Sequence, residues 1–161
     1  MARMRISIIA ILTMVLLTLS VTTMVRPAES RPLSLTGASS WYGGPCDSGD
    51  NNIPRWMPGD RNRTPGIALR RYDTPRKYFL LTLLRTKRKI VVRHTDYGPH
   101  GSTGKLVDIN YTAVQGLGFS GCRDDYPTWA KVRITELDSK RRIRYWIKHT
   151  KTKIDDRRLR Y

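Results

Sequence analysis

The chain reads as mainly β with one or two short helices, and three observations carry that reading. First, apolar or β-branched runs of strand length recur: Tyr78–Leu84, Ile90–Thr95 and Ala130–Leu137. Along the last run Ala130, Val132 and Ile134 alternate with Lys131, Arg133 and Thr135, which turns one face inward and the other to water. Second, Gly and Pro break the chain between runs, as at Gly43-Gly44-Pro45. Third, the clearest helix signal is short: Asn110 can cap it, Ala113, Val114 and Leu117 give it an apolar face, and Gly118 can end it.

Taken in order, the chain opens with Arg3 and Arg5 before an apolar run, Ile6–Val25. That pattern is an export signal or a membrane anchor. The run exceeds the ~7–15 residues of a signal core and approaches the ~20 that span a bilayer. Ala28-Glu29-Ser30 has the small-x-small spacing of a cleavage site. Residues 1–30 are therefore set apart as signal or anchor. Either outcome puts the remainder outside the cytoplasm: secreted, periplasmic or in the cell wall. No Cys follows the apolar run, which argues against a lipid anchor. Arg31–Gly37 reads as a linker and Ala38–Tyr42 as the first strand. Asp47–Pro65 is a long aperiodic loop, the kind that is often functional. Gly66–Leu69 reads as a short buried strand, and Arg85–Lys89 as a basic turn between Tyr78–Leu84 and Ile90–Thr95. Residues 138–161 form a basic extension. In it Ile143, Tyr145 and Ile147 alternate with Arg144, Trp146 and Lys148, which predicts a further strand before a Lys/Arg-rich end that frays.

Thirty Lys and Arg oppose 13 Asp and Glu, a formal charge of +17. Loss of residues 1–30 removes three Arg and one Glu and leaves +15, of which the extension from Ser139 holds +8. Such a surface favours polyanions. In the extension Arg141, Arg142, Arg144 and Lys148 interleave with Tyr145 and Trp146, a pattern that suits an anionic surface. Export argues against nucleic acid as that partner and for anionic wall polymer or lipid headgroups. Cys46 and Cys122 are the two cysteines, 76 positions apart. Outside the cytoplasm an even pair points to a disulfide, with two buried free thiols as the alternative. No CxxC is present and the three His are well spread, so no metal site and no cofactor is expected.

The chemistry concentrates in His94–Gly118. Asp96 follows the strand Ile90–Thr95, and Asp108 precedes the helix signal. Between them Gly98, Pro99, Gly101 and Gly104 let the loop fold back and bring both carboxylates to one cleft. The alternative is local: an Asp before Gly-Pro fixes a turn, and Asp108 supports the helix cap.

The same stretch resembles the central motif of the RlpA-like (rare lipoprotein A) double-psi β-barrel domain, a barrel shared with expansins. The residues that carry it are Val91-Val92, Thr95-Asp96-Tyr97-Gly98-Pro99, Gly104-Lys105-Leu106-Val107-Asp108-Ile109-Asn110 and Ala113–Gly118. Ala38-Ser39-Ser40-Trp41-Tyr42-Gly43-Gly44 resembles the family's opening strand. The match covers about residues 36–137. It implies a six-stranded double-psi β-barrel acting on or binding cell-wall polysaccharide such as peptidoglycan. It also implies a groove lined by Asp96 and Asp108, the second tied to activity. A lytic transglycosylase of this kind needs one carboxylic acid that protonates the glycosidic oxygen and then takes a proton from the sugar's own hydroxyl. Burial or a like charge raises the pKa of such an acid. Catalytic members of the family carry a Glu and a His where Asp47–Arg71 has neither, and Asp50 is the nearest acid to stand in. Tyr42 and Tyr97 are candidates to stack on sugar rings, with His94 and His100 as polar neighbours, whereas Trp41 is expected in the core. The alternative function is non-enzymatic binding of an anionic polymer through the basic surface.

Overall fold

The structure is a computed structural model, and it describes residues 32–44, 64–70, 76–120, 125–127 and 129–154. The chain divides after Arg31, and the unit Pro32–Tyr161 carries every described residue. The apolar run Ile6–Val25, Asp50, Cys46 and Cys122 lie outside the described residues. Among the described residues no helix is long and apolar enough to cross a membrane.

Six strands close into a barrel: β1 (Ser34–Tyr42), β2 (Gly66–Ala68), β3 (Tyr78–Leu83), β4 (Lys89–Asp96), β5 (Val107–Asn110) and β6 (Ala130–Leu137). Around the barrel they run β1-β5-β2-β4-β3-β6. The β1/β5 and β2/β4 pairs are parallel and the other four are antiparallel. Exchanging β1-β2-β3 for β4-β5-β6 leaves both the order and the sense of every pair unchanged. The barrel thus has an internal two-fold arrangement, with β2 and β5 paired at its axis.

Alternation fills the interior as the pleat requires. Phe79, Leu81, Ile90, Val92, Val107, Ile109, Val132 and Ile134 are buried in one cluster. Helix α1 (Tyr111–Gly116) follows β5 directly and adds Ala113 and Val114 to that cluster. Asn110 caps α1 as its position predicts: its Oδ1 accepts from Ala113 N at 2.9 Å and from Gly66 N at 2.8 Å. Its Nδ2 donates to Thr64 O at 2.8 Å. One buried amide therefore ties α1 to the entry of β2. Leu117 ends the helix, and Gly118 follows with φ of 83°, a conformation that favours glycine.

Two expectations are corrected. Ser34–Gly37 is strand, not linker, and its backbone pairs with Thr135–Val132 of β6. Leu35 packs on the core, as does Leu33 just before the strand. Gly37 fits here because Leu106 Cβ would stand 2.6 Å from any Cβ at that position. The second correction is larger. Ile143, Tyr145 and Ile147 do not form a strand: they lie in helix α2 (Lys140–Thr150). Ser139 caps it, accepting from Arg142 N at 3.3 Å. Ile143 is fully buried and Trp146 and Ile147 are partly so, whereas Tyr145 is 53% exposed. The helix covers the outer face of the sheet, where Tyr78, Leu80, Val91 and Leu137 join Ile143 in a second cluster. Past the helix, Thr152 Oγ1 accepts from Val91 N at 3.1 Å. The described part of the extension is thus a packed layer.

Candidate functional site

The two aspartates meet through strand register. Ala68 of β2 pairs with Asp108 of β5 on one side and with Asp96 of β4 on the other. Asp108 in turn pairs with Ser40 of β1. Ser40, Asp108, Ala68 and Asp96 form one row across four strands. Two interstrand spacings separate the Asp backbones, roughly 9–10 Å. The row depends on a bulge. Ile67 pairs with His94, yet Ala68 pairs with Asp96, so Thr95 is an extra residue on β4. Without it Ala68 would oppose Thr95, and the side chain of Asp96 would alternate to the other face. The bulge therefore brings Asp96 onto the face of Asp108. Thr95, the extra residue, is buried.

The loop between the aspartates folds back over this row. A Cβ on Gly98 would stand 3.3 Å from Asp108 Oδ2 and 3.5 Å from Ala68 Cβ, so the loop backbone lies close over the carboxylate. Arg70, just past β2, pins the loop. Its Nε donates to Pro99 O at 2.8 Å, and its Nη2 to the carbonyls of His100, Gly101 and Lys105 at 2.9, 3.2 and 3.2 Å. A planar fork of donors suits such a converging set of carbonyls. A short 3₁₀ turn, Gly101–Thr103, completes the loop.

Asp108 is half-buried and accepts a hydrogen bond from the Ser40 hydroxyl. Burial pushes its carboxyl above the ordinary carboxylate range. The Ser40 bond and the charges of Lys105 and Arg70 pull it back, and Asp96 adds a smaller upward push. The Asp96 charge therefore reaches Asp108, but desolvation dominates. Asp96 is partly buried, and its Oδ1 accepts from Tyr97 N at 2.7 Å, the local turn contact expected of an Asp before Gly-Pro. A half-buried carboxyl that holds its proton more firmly than usual is equipped to act as a general acid, and the adjacent Arg70 and Lys105 can meet an anion.

The other candidates separate. His94 is fully buried, its Nε2 accepts from Leu69 N at 3.3 Å, and its ring meets Phe79 edge-on at 6.5 Å. It braces β4 against the end of β2 and offers no surface to a ligand, which corrects its reading as a groove residue. His100 is exposed; its Nδ1 hydrogen-bonds with Ser102 Oγ at 2.9 Å, so it shapes the 3₁₀ turn at the loop's tip. Tyr97 is 36% exposed next to Asp96, where it can meet a ligand. Tyr42 is only partly exposed and pairs with Asn110, one step beyond the Ser40–Trp41 segment. Trp41 packs against the core, as expected.

Ser40, Arg70 and Lys105 complete the site without having been singled out as ligands of the aspartates. Ser40 lies in the opening motif, but its pairing with Asp108 is a matter of register between segments 68 positions apart. Among the described residues, two cavities have none of the row's side chains in their lining. One of about 310 Å³ sits between α1 and the end of α2, bordered by Gln115 and Lys153. The other, about 400 Å³, lies beside Trp129. A scan against protein-family models finds no match, and no curated protein matches the chain.

Proposed function

We propose that this is an exported protein with a double-psi β-barrel that binds and remodels cell-wall polysaccharide through the Asp96/Asp108 groove, in the manner of RlpA-like lytic transglycosylases or expansins. The observation that carries the reading is Asp108 itself. It is a half-buried acid with its proton affinity raised by burial, bonded to Ser40, in one row with Asp96, under a glycine loop. Ser40, Asp96 and Asp108 of this row belong to the family-like motifs. The two-fold exchange of β1-β2-β3 with β4-β5-β6, with its two parallel pairs, supports the double-psi description.

In this reading Asp108 gives its proton to the glycosidic oxygen and recovers one from the sugar hydroxyl that attacks the anomeric carbon. Asp96 and Arg70 tune and position it. The test incubates the protein with purified peptidoglycan and analyses soluble products by mass spectrometry. Anhydro-sugar ends identify a lytic transglycosylase, reducing ends a hydrolase, and retention on the wall without products a binding module. Asp108→Asn should lower product release about 10²–10⁴-fold, the order of what a lost general acid costs. Full activity in that variant removes Asp108 from the mechanism.

Export also carries the Cys46–Cys122 pairing, which would stabilise the fold by about 4–5 kcal/mol for a closure of that length. Mass spectrometry of the non-reduced exported protein should find no alkylatable thiol; two such thiols exclude the bridge. A second reading, binding of an anionic polymer, is favoured by a specific observation: Arg141, Arg144 and Lys148 are exposed on a helix that is packed in place.

A further inference from the structure

We propose that Trp129 and Lys105 form a subsite for an acidic sugar, a hexose ring bearing a carboxylate, beside the Asp108 groove. The inference rests on the reading of that groove as a glycan site and names the substrate class it takes. Trp129 is 62% exposed, more than Tyr145 or Tyr97. It stands directly before β6, whose first residue Ala130 donates its N–H to Pro127 O at 3.0 Å. A flat indole held in water presents an apolar face of the size of a pyranose, with no core to enter.

The surroundings select the charge. Lys105 Nζ stands 5.4 Å from the Trp129 ring centroid. The same lysine lies on the loop between Asp96 and Asp108 and is one of the cations that act on Asp108. Gly104 lies against the ring as well, at 4.0 Å from Cη2 to the position of a Cβ. The loop pinned by Arg70 thus touches both the acid and the indole. Next to Trp129 opens the cavity of about 400 Å³, within the size range of small-ligand sites. Arg85 and Lys131 line it together with Phe119 and Thr86. Its one lining carboxylate among the described residues, Asp125, is engaged by the backbone N–H of Ser120. Among the described residues two bases of the cavity, with Lys105 at Trp129's ring, stand against one occupied acid. A neutral ring leaves those charges unmatched, whereas a carboxylate-bearing ring places its apolar face on Trp129 and its charge on Lys105 or Lys131. A nucleobase would also stack on an indole, but strand binding uses a succession of exposed aromatic platforms, and among the described residues Trp129 is the one exposed large aromatic at this cavity.

The experiment is isothermal titration calorimetry of the full chain with an oligogalacturonate, a neutral chito-oligosaccharide and a single-stranded oligonucleotide. The oligogalacturonate should bind most tightly, and added salt should weaken it. Trp129→Ala should lower that affinity about five- to tenfold, the value of one lost aromatic contact. Lys105→Gln should lower it too and flatten the salt dependence. Circular dichroism of both variants should match the parent, because both side chains lie at the surface. Unchanged affinity in Trp129→Ala, equal binding of the neutral sugar, tighter binding of the oligonucleotide, or no binding of the oligogalacturonate each overturns the subsite. None of these outcomes bears on product release by Asp108→Asn, and failure of the groove reading appears in that variant and not in the calorimetry.

Discussion

Asp108 carries a charge that the fold holds at a cost. Its folded pKa lies above the unfolded value because burial outweighs the Ser40 bond and the nearby cations. The sign follows from proton counting: between the two values the native state binds more protons than the unfolded chain, so stability falls as pH rises through that window. Below the ordinary Asp range both states are protonated, and the penalty vanishes. Asp108→Asn should therefore be more stable than the parent at neutral pH, and the two should converge as pH drops below the unfolded carboxyl's range. Urea denaturation at a series of pH values checks this. An Asn variant less stable at neutral pH would mean that the Ser40 bond and the cations outweigh burial. Both aspartates were legible in the sequence because they flank a glycine loop between a strand and a helix signal. Arg70 was not, because its role is four donations to backbone carbonyls about thirty positions away. Neither was the bulge at Thr95, which appears only when β2 and β4 are laid side by side.

At the scale of elements, β6 was readable from its alternation, β4 from its β-branched Ile90-Val91-Val92 and β3 as an apolar run of strand length. Helix α2 was not. Ile143, Tyr145 and Ile147 satisfy a strand period, while Ile143, Trp146, Ile147 and Thr150 satisfy a helical one, and a short apolar-poor segment does not choose between them. Two signals favoured the helix: Ser139 as a cap, and the apolar run Tyr78–Leu83, whose outward Tyr78 and Leu80 need a covering layer. The consequence is energetic. Deleting residues from Ser139 onward exposes Tyr78, Leu80, Val91 and Leu137 and removes the acceptor on Thr152 for Val91 N. The barrel should not keep its full stability without the extension. Ile143→Ala alone should cost about 2–5 kcal/mol, as a fully buried aliphatic does. A loss below about 1 kcal/mol in chemical denaturation would mean that the site collapses around the cavity or that the helix is peripheral to the fold.

At the scale of the molecule, the formal charge of +17 is distributed, but α2 concentrates part of it on one side of a packed element. Arg141, Arg144 and Lys148 recur at helical spacing on the exposed face, opposite Ile143. Arg142 differs: it is half-buried, and its Nη1 meets Asp138 Oδ1 at 3.0 Å, so part of its charge is already matched. A helix held by its apolar face keeps the three exposed bases in a fixed row, which lowers the ordering cost of meeting a polyanion. Replacing Arg141, Arg144 and Lys148 together with Gln should weaken binding to a linear polyanion such as polyphosphate. The slope of log affinity against log salt should fall by about one unit per base removed, about three in all. Surface substitutions of this kind should leave stability within about 0.5 kcal/mol. Lys87→Gln, at the exposed β3–β4 turn, supplies the comparison, because it removes one charge without touching the row. If affinity follows net charge alone, the triple variant should lose three times the binding free energy lost by Lys87→Gln. A loss well beyond that ratio identifies the face of α2 as the contact, and a loss equal to it returns polyanion binding to the diffuse field of the whole surface.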